Sequence, residues 1–125
     1  VSRDETWRFR LEDAVDRFNA SPSTRTVGGL MRTLGTPRVS IGAAAGSPSE
    51  VRITIAWELS WYQWGVDVED GSRPVFELGR GAEIDQLDGA ARIWNGGAAA
   101  GGLIFLGRSA PVPLGRRERL LRALS

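Results

Sequence analysis

The 125-residue chain contains no cysteine, no histidine and no lysine; all 16 of its basic residues are arginine. Each absence removes chemistry. Without His or Cys the usual nitrogen and sulfur ligands of transition metals are gone, leaving only carboxylate–oxygen sites of the kind that suit Mg or Ca. A Ser–His–Asp or Cys–His arrangement cannot be assembled within one chain, and neither can a Lys Schiff base. Any catalysis would have to run on Asp, Glu, Tyr, Arg or backbone groups. A non-enzymatic role is therefore the leading expectation, with no cofactor and no metal. Zero cysteine also excludes a disulfide framework, which fits a reducing, cytoplasmic setting. No apolar run approaches the roughly 20 residues of a membrane-spanning helix. The opening V-S-R-D-E-T-W lacks both the apolar core of a signal peptide and an initiator Met. A trimmed chain, or a piece of a longer one, is expected.

Strong charge of either sign is missing too. Fifteen acidic residues stand against 16 Arg, for a net charge of +1. So near a balance gives no global field to hold nucleic acid, and a nucleic-acid role, through the local Arg cluster of the C-terminus, ranks only third among the expectations. With 42% hydrophobic and 25% charged residues, the composition is that of a globular protein, expected to form a single domain over 1–125.

What the chain does have is a tryptophan-bearing β segment between Glu50 and Asp70. Val51, Ile53, Ile55, Trp57, Leu59 and Trp61 alternate with Arg52, Thr54, Ala56, Glu58, Ser60 and Tyr62, the pattern of a half-buried antiparallel strand. From Trp64 onward the apolar positions are Trp64, Val66 and Val68, opposite in parity. A one-residue slip moves side chains to the other face, so a bulge near Tyr62–Gly65, at Gln63 or Gly65, is expected to absorb it.

Around this segment, Trp7, Leu11, Ala14, Val15 and Phe18 form a helical stripe over about Asp4–Asn19, with Arg8–Glu12 and Asp13–Arg17 as i,i+4 ion pairs. A shorter helix is expected over Thr26–Leu34, ended by Gly35, and a short strand over Arg38–Gly42. Asp70-Gly71 is a hairpin signal, returned by a strand over Pro74–Arg80. Glu83–Asn95 carries a helical stripe broken by Gly89. The Gly/Ala run Gly96–Gly102 reads as low-complexity without stable structure. Leu103–Leu106 is a short strand, and Pro113–Leu124 an amphipathic, Arg-rich C-terminal helix. The expected fold is α+β: a curved antiparallel sheet of about four or five strands, with N-terminal helices and a C-terminal helix packed on it.

Candidate binding residues follow from the phase change. Trp57 and Trp61 are expected in the core. Tyr62 and Trp64 flank the bend and are of the types enriched at pockets and interfaces. Glu58, mid-strand on their face, would act as acid or base only if covered, and is otherwise a surface charge. With Arg80, Trp94 and Arg117 these form the ligand- or partner-binding set. Arg117 is notable because it projects from the middle of the apolar arc formed by Leu114, Leu120, Leu121 and Leu124, so it must snorkel or find a carboxylate. The leading functional expectation is a binding or regulatory module acting through protein–protein contact, as a homodimer or on a protein partner. The alternative is a cone binding a small apolar ligand, or a carboxylate-driven enzyme with an aromatic pocket.

Glu83, Asp85 and Asp88 lack the spacing of a calcium loop, and capping with solvation is their expected role. Treatment with EDTA should therefore leave the melting temperature unchanged. A fall reversed by Ca or Mg would turn these carboxylates from caps into ligands.

Overall fold

The computed structural model describes residues 3–44, 47–70 and 75–107, the side chains of 3–7 and 47–48 excepted. Two helices open the chain, α1 (Arg3–Asn19) and α2 (Ser23–Leu34). Six strands follow: β1 (Arg38–Ala44), β2 (Ser47–Trp57), β3 (Ser60–Asp67), β4 (Phe76–Gly81), β5 (Gly96–Ala99) and β6 (Leu103–Leu106). They form one sheet in the order β4-β3-β2-β1-β5-β6, and each paired neighbour runs antiparallel. Among the described residues the class is α+β, with six strands rather than four or five. The expected C-terminal helix, including Arg117, lies outside the described residues, as does the side chain of Trp7.

The long Trp-bearing segment is not one strand but two. β2 and β3 are joined by a two-residue turn, Glu58-Leu59, with Trp57 paired to Ser60. The ladder then runs without interruption through Ile55–Tyr62, Ile53–Trp64 and Val51–Val66. Directly paired residues share a face. An even-length turn therefore pairs odd-numbered residues of β2 with even-numbered residues of β3, and the parity change in the sequence is a chain reversal. No non-glycine residue among those described has positive φ, so the turn is neither of the primed types that dominate two-residue hairpins. That explains why no Asn-Gly or Asp-Gly marks it. A register shift does occur at the level of Gln63 and Trp64, in the β3–β4 ladder: Gln63 pairs with Gly79 and Trp64 with Glu77. The additional residue is Leu78 on β4. The bulge is thus on the neighbouring strand, not at Gln63 or Gly65.

This pairing assembles the core. Val39 and Ile41 of β1, Val51, Ile53, Ile55 and Trp57 of β2, and Trp64 and Val66 of β3 cluster with Ala14, Val15 and Phe18 of α1 and Val27 of α2. Phe18 meets the Trp64 ring edge-on, 5.2 Å between centroids. Trp57 keeps its indole N–H satisfied by donating to the Gly35 carbonyl at 2.8 Å, which ties the end of α2 to the end of β2. The opposite sheet face is crossed by the segment after β4. Instead of a helix it forms 3-10 turns at Ile84–Gln86 and Ala90–Arg92. Its Leu87 and Ala91 are buried, and the buried Ser40 hydroxyl donates to the Ala90 carbonyl at 3.4 Å.

The Gly/Ala run is ordered structure, and the reason is close approach. Gly96–Ala99 is strand β5, and Ala100–Gly102 a 3-10 turn beside α2. A Cβ on Gly28 would sit 3.0 Å from the Gly101 carbonyl carbon, and one on Gly102 (φ +83°) would overlap the Thr24 carbonyl oxygen. Backbone packs on backbone, which only glycine allows. Elsewhere a ring lies where a glycine lacks its side chain, with Phe76 over Gly65, Trp61 over Gly81 and Phe105 over Gly97. These are cross-strand aromatic–glycine pairs.

Two glycines of this set should respond in opposite directions. Gly29 on α2 has open space around its Cβ position, so Gly29→Ala is expected to stabilise the fold by about 0.5–1 kcal/mol. Gly102→Ala adds a left-handed residue to an overpacked contact and should cost about 2 kcal/mol or more. Urea unfolding checks both. Equal small effects would mean that the α2–Gly102 contact is absent.

Candidate functional site

Pairing of β3 with β4 decides which expected residues meet. Tyr62 lies opposite Arg80, and Trp64 opposite Glu77, on the helix-bearing face. Because Leu78 is the additional residue of the bulge, Glu77 and Arg80, three apart, come to one face and form a two-point ion pair, 3.1 and 3.0 Å. The Arg80 guanidinium carbon lies 5.1 Å from the Tyr62 ring centroid. Tyr62 stacks on Trp64 at 5.7 Å and 14°, and meets Trp57 edge-on at 6.4 Å. The result is a graded cluster. Phe18, Trp57 and Trp64 are buried, Tyr62 is half-buried, and Arg80 is exposed above it.

The other expected residues fall elsewhere. Glu58 is not mid-strand but on the exposed β2–β3 turn, beside Leu59, which is 79% exposed. Arg52 does not serve it, being paired to Asp88. Trp61 is half-buried on the face away from the helices, and its indole N–H donates to the Glu83 carbonyl at 2.9 Å. Trp94 is half-buried under the Arg38 guanidinium at 4.8 Å, separate from the Tyr62 cluster.

In the acidic run after β4, Glu83 and Asp88 are engaged in structure. The Gln86 side chain accepts from the Glu83 N–H, closing a capping box with Glu83. Asp88 accepts two hydrogen bonds from Arg52 at 3.0 and 2.8 Å and one from the Ala91 N–H at 2.8 Å. Its pKa is lowered, chiefly by the Arg52 hydrogen bonds and then by the Ala91 N–H, against the opposing effect of burial. Among the described residues, no group of three carboxylates is placed to hold a metal ion.

Some of the most informative side chains carry no sequence motif. Arg17 donates to the carbonyls of Asp67 (2.9 Å), Val68 (3.1 Å) and Asp70 (3.1 Å), fixing the chain that leaves β3. Asn19 and Asn95 each use both ends of the amide on one backbone residue: Asn19 on Ile104 (3.0 and 2.8 Å) and Asn95 on Ile41 (2.8 and 2.8 Å). Their positions at the ends of α1 and of the crossing segment were the available signal. Between α1 and β6 the described residues form an open groove of about 400 Å³, lined by residues that include Glu12, Val15, Asp16, Ile104 and Leu106.

Among the described residues the architecture is an antiparallel six-stranded sheet with two helices on one face and an aromatic–arginine cluster toward its β4 edge. Compared with protein families, with curated proteins and with solved structures, the chain matches none.

Asp88 supplies a pH test. A carboxyl whose pKa is lower in the folded state than in the unfolded chain stabilises the fold above the unfolded pKa of about 3.9, and that contribution is lost as the pH falls through the lower folded value. Asp88→Asn should therefore cost stability at pH 7 and nothing at the acid limit. The cost should stay below about 1 kcal/mol, because the carboxylate is 56% exposed. Urea midpoints of both proteins between pH 7 and pH 2 check this. A difference that does not change with pH would contradict it.

Proposed function

We propose that the chain is a non-enzymatic binding module that acts through protein–protein contact, in the first instance with a second copy of itself. The observation that carries this reading is the half-buried Tyr62, held between Trp57 and Trp64 and roofed by Arg80. Tyr, Trp and Arg are the residue types in which interface energy concentrates, because they offer large rigid surface with a polar handle. Tyr62 is already ordered by its neighbours, so little side-chain freedom would be lost on binding.

Self-association is favoured over a charged foreign partner by the chemistry of the rim. Glu77 and Arg80 sit side by side as an ion pair. A patch with both signs adjacent is self-complementary under a two-fold axis, where each Glu77 can exchange to the facing Arg80. A reducing, cytoplasmic setting belongs to this reading on the absence of cysteine alone. The pocket reading has less support, since Glu58 is on an exposed turn and shares no site with Tyr62.

Sedimentation equilibrium from about 1 to about 100 µM tests the proposal, a range in which interfaces of ordinary size associate. Wild-type protein should show a reversible dimer. Arg80→Glu, which sets two carboxylates side by side at an exposed rim, should weaken it at least about tenfold while the melting temperature changes little. A wild-type monomer across the whole range would contradict self-association through this face.

A further inference from the structure

The sheet face opposite the helices is crossed by one thin segment, residues 82–94. Its backbone hydrogen bonds close on themselves: Gln86 donates to Glu83, Leu87 to Ile84, Ala91 to Asp88 and Arg92 to Gly89. The segment adds no strand to the sheet and is held to it by side chains. Of its residues, Leu87 and Ala91 alone are buried. The other ties are polar. Arg52 grips Asp88 at 3.0 and 2.8 Å, and the Trp61 indole N–H donates to the Glu83 carbonyl at 2.9 Å. Both ends are fixed, one by Gly81 within β4 and the other by the Asn95 amide on Ile41.

What lies beneath is polar as well. Ser40, Thr54 and Gln63 pair directly across β1, β2 and β3 and so form one row on this face. Ser40 and Thr54 are the polar side chains buried among the described residues. Thr54 accepts a hydrogen bond from Gln63 at 3.0 Å. The Ser40 hydroxyl reaches the Ala90 carbonyl only at 3.4 Å, beyond the usual O–H···O range of about 2.5–3.0 Å. Water would serve that hydroxyl better. Lifting a cover that buries so few apolar side chains, from a floor that water can satisfy, exposes little apolar surface.

We propose that residues 82–94 are a hinged cover that opens as one unit while the sheet stays folded. Gly81 and Asn95 mark its hinges, and the Arg52–Asp88 ion pair is its latch. The Ser40–Thr54–Gln63 row is then a surface available only in the open state. This face is distinct from the Tyr62–Arg80 cluster, so the outcome does not depend on self-association there.

Hydrogen exchange read residue by residue by NMR on the full chain tests it. The Leu87 and Ala91 amides and the Trp61 indole N–H should share one protection factor, at least about tenfold below those of the Ile53 and Ile55 amides. Ile53→Val trims the core on the helix side and should speed exchange at Ile55 by about two- to tenfold. It should leave Leu87, Ala91 and Trp61 unchanged, because the open and closed forms both keep that core. Asp88→Asn should speed the Leu87 amide and the Trp61 indole together, by at least about twofold. Equal protection of cover and sheet would overturn the proposal, and so would acceleration of both by Ile53→Val, since either means that the segment opens only with the whole domain. An Asp88→Asn effect on one of the two reporters, or on neither, would overturn the single latched unit.

Discussion

The two-residue turn at Glu58-Leu59 is the constraint from which the rest of the arrangement follows. Because it reverses the chain across an even number of residues, Val51, Ile53, Ile55 and Trp57 share a face with Ser60, Tyr62, Trp64 and Val66. A three-residue turn would send one of these sets to the other side of the sheet. Trp64 would then leave Phe18, and Tyr62 would leave Trp57. The core and the candidate interface thus depend on the same reversal. They grade into each other through one aromatic series, from buried Phe18 and Trp64 to half-buried Tyr62.

Once the sheet face is set, a few polar side chains fasten the layers. Arg17 gathers three carbonyls of the chain leaving β3, while its Asp13 neighbour at 3.2 Å balances its charge. Asn19 occupies the backbone N–H and carbonyl of Ile104, and Asn95 does the same for Ile41. Each replaces a strand partner with a side-chain amide, which satisfies backbone groups that would otherwise be left without partners. At β6 this also matters for specificity, because an occupied edge is a poor template for another strand. At β4 the same end is served differently, by a bulge, two glycines and an ion pair.

Much of the fold was legible in the sequence, and what was not has local causes. Both helices follow from their apolar stripes, to within a few residues at their starts. The paired strands β1, β4 and β6 were also visible. The β2–β3 turn was hidden because Glu-Leu carries no turn chemistry, and Leu59 continues the alternation although it is exposed in the structure. β5 was hidden because a Gly/Ala strand has no hydrophobic period; it exists through ring–glycine contact and backbone approach, which are tertiary facts. The helical stripe of Glu83–Asn95 is real as a burial pattern at Leu87 and Ala91, yet Gly89 and the Asp88 cap split it into two 3-10 turns. Of the expected site, Tyr62, Trp64 and Arg80 converge, whereas Glu58 and Trp94 do not. Arg80 reaches Tyr62 only through pairing across β3 and β4, a contact no single-strand pattern encodes.

The central claim is the reversal itself, and nuclear Overhauser effects between backbone protons test it most directly. The account predicts cross-strand contacts linking Ile53 to Trp64 and Ile55 to Tyr62, with Trp57 adjoining Ser60. A pattern of sequential contacts alone from Val51 through Val66, with those cross-strand contacts absent, would mean one continuous strand. The core, the Tyr62–Arg80 cluster and the interface built on it would then all be wrong.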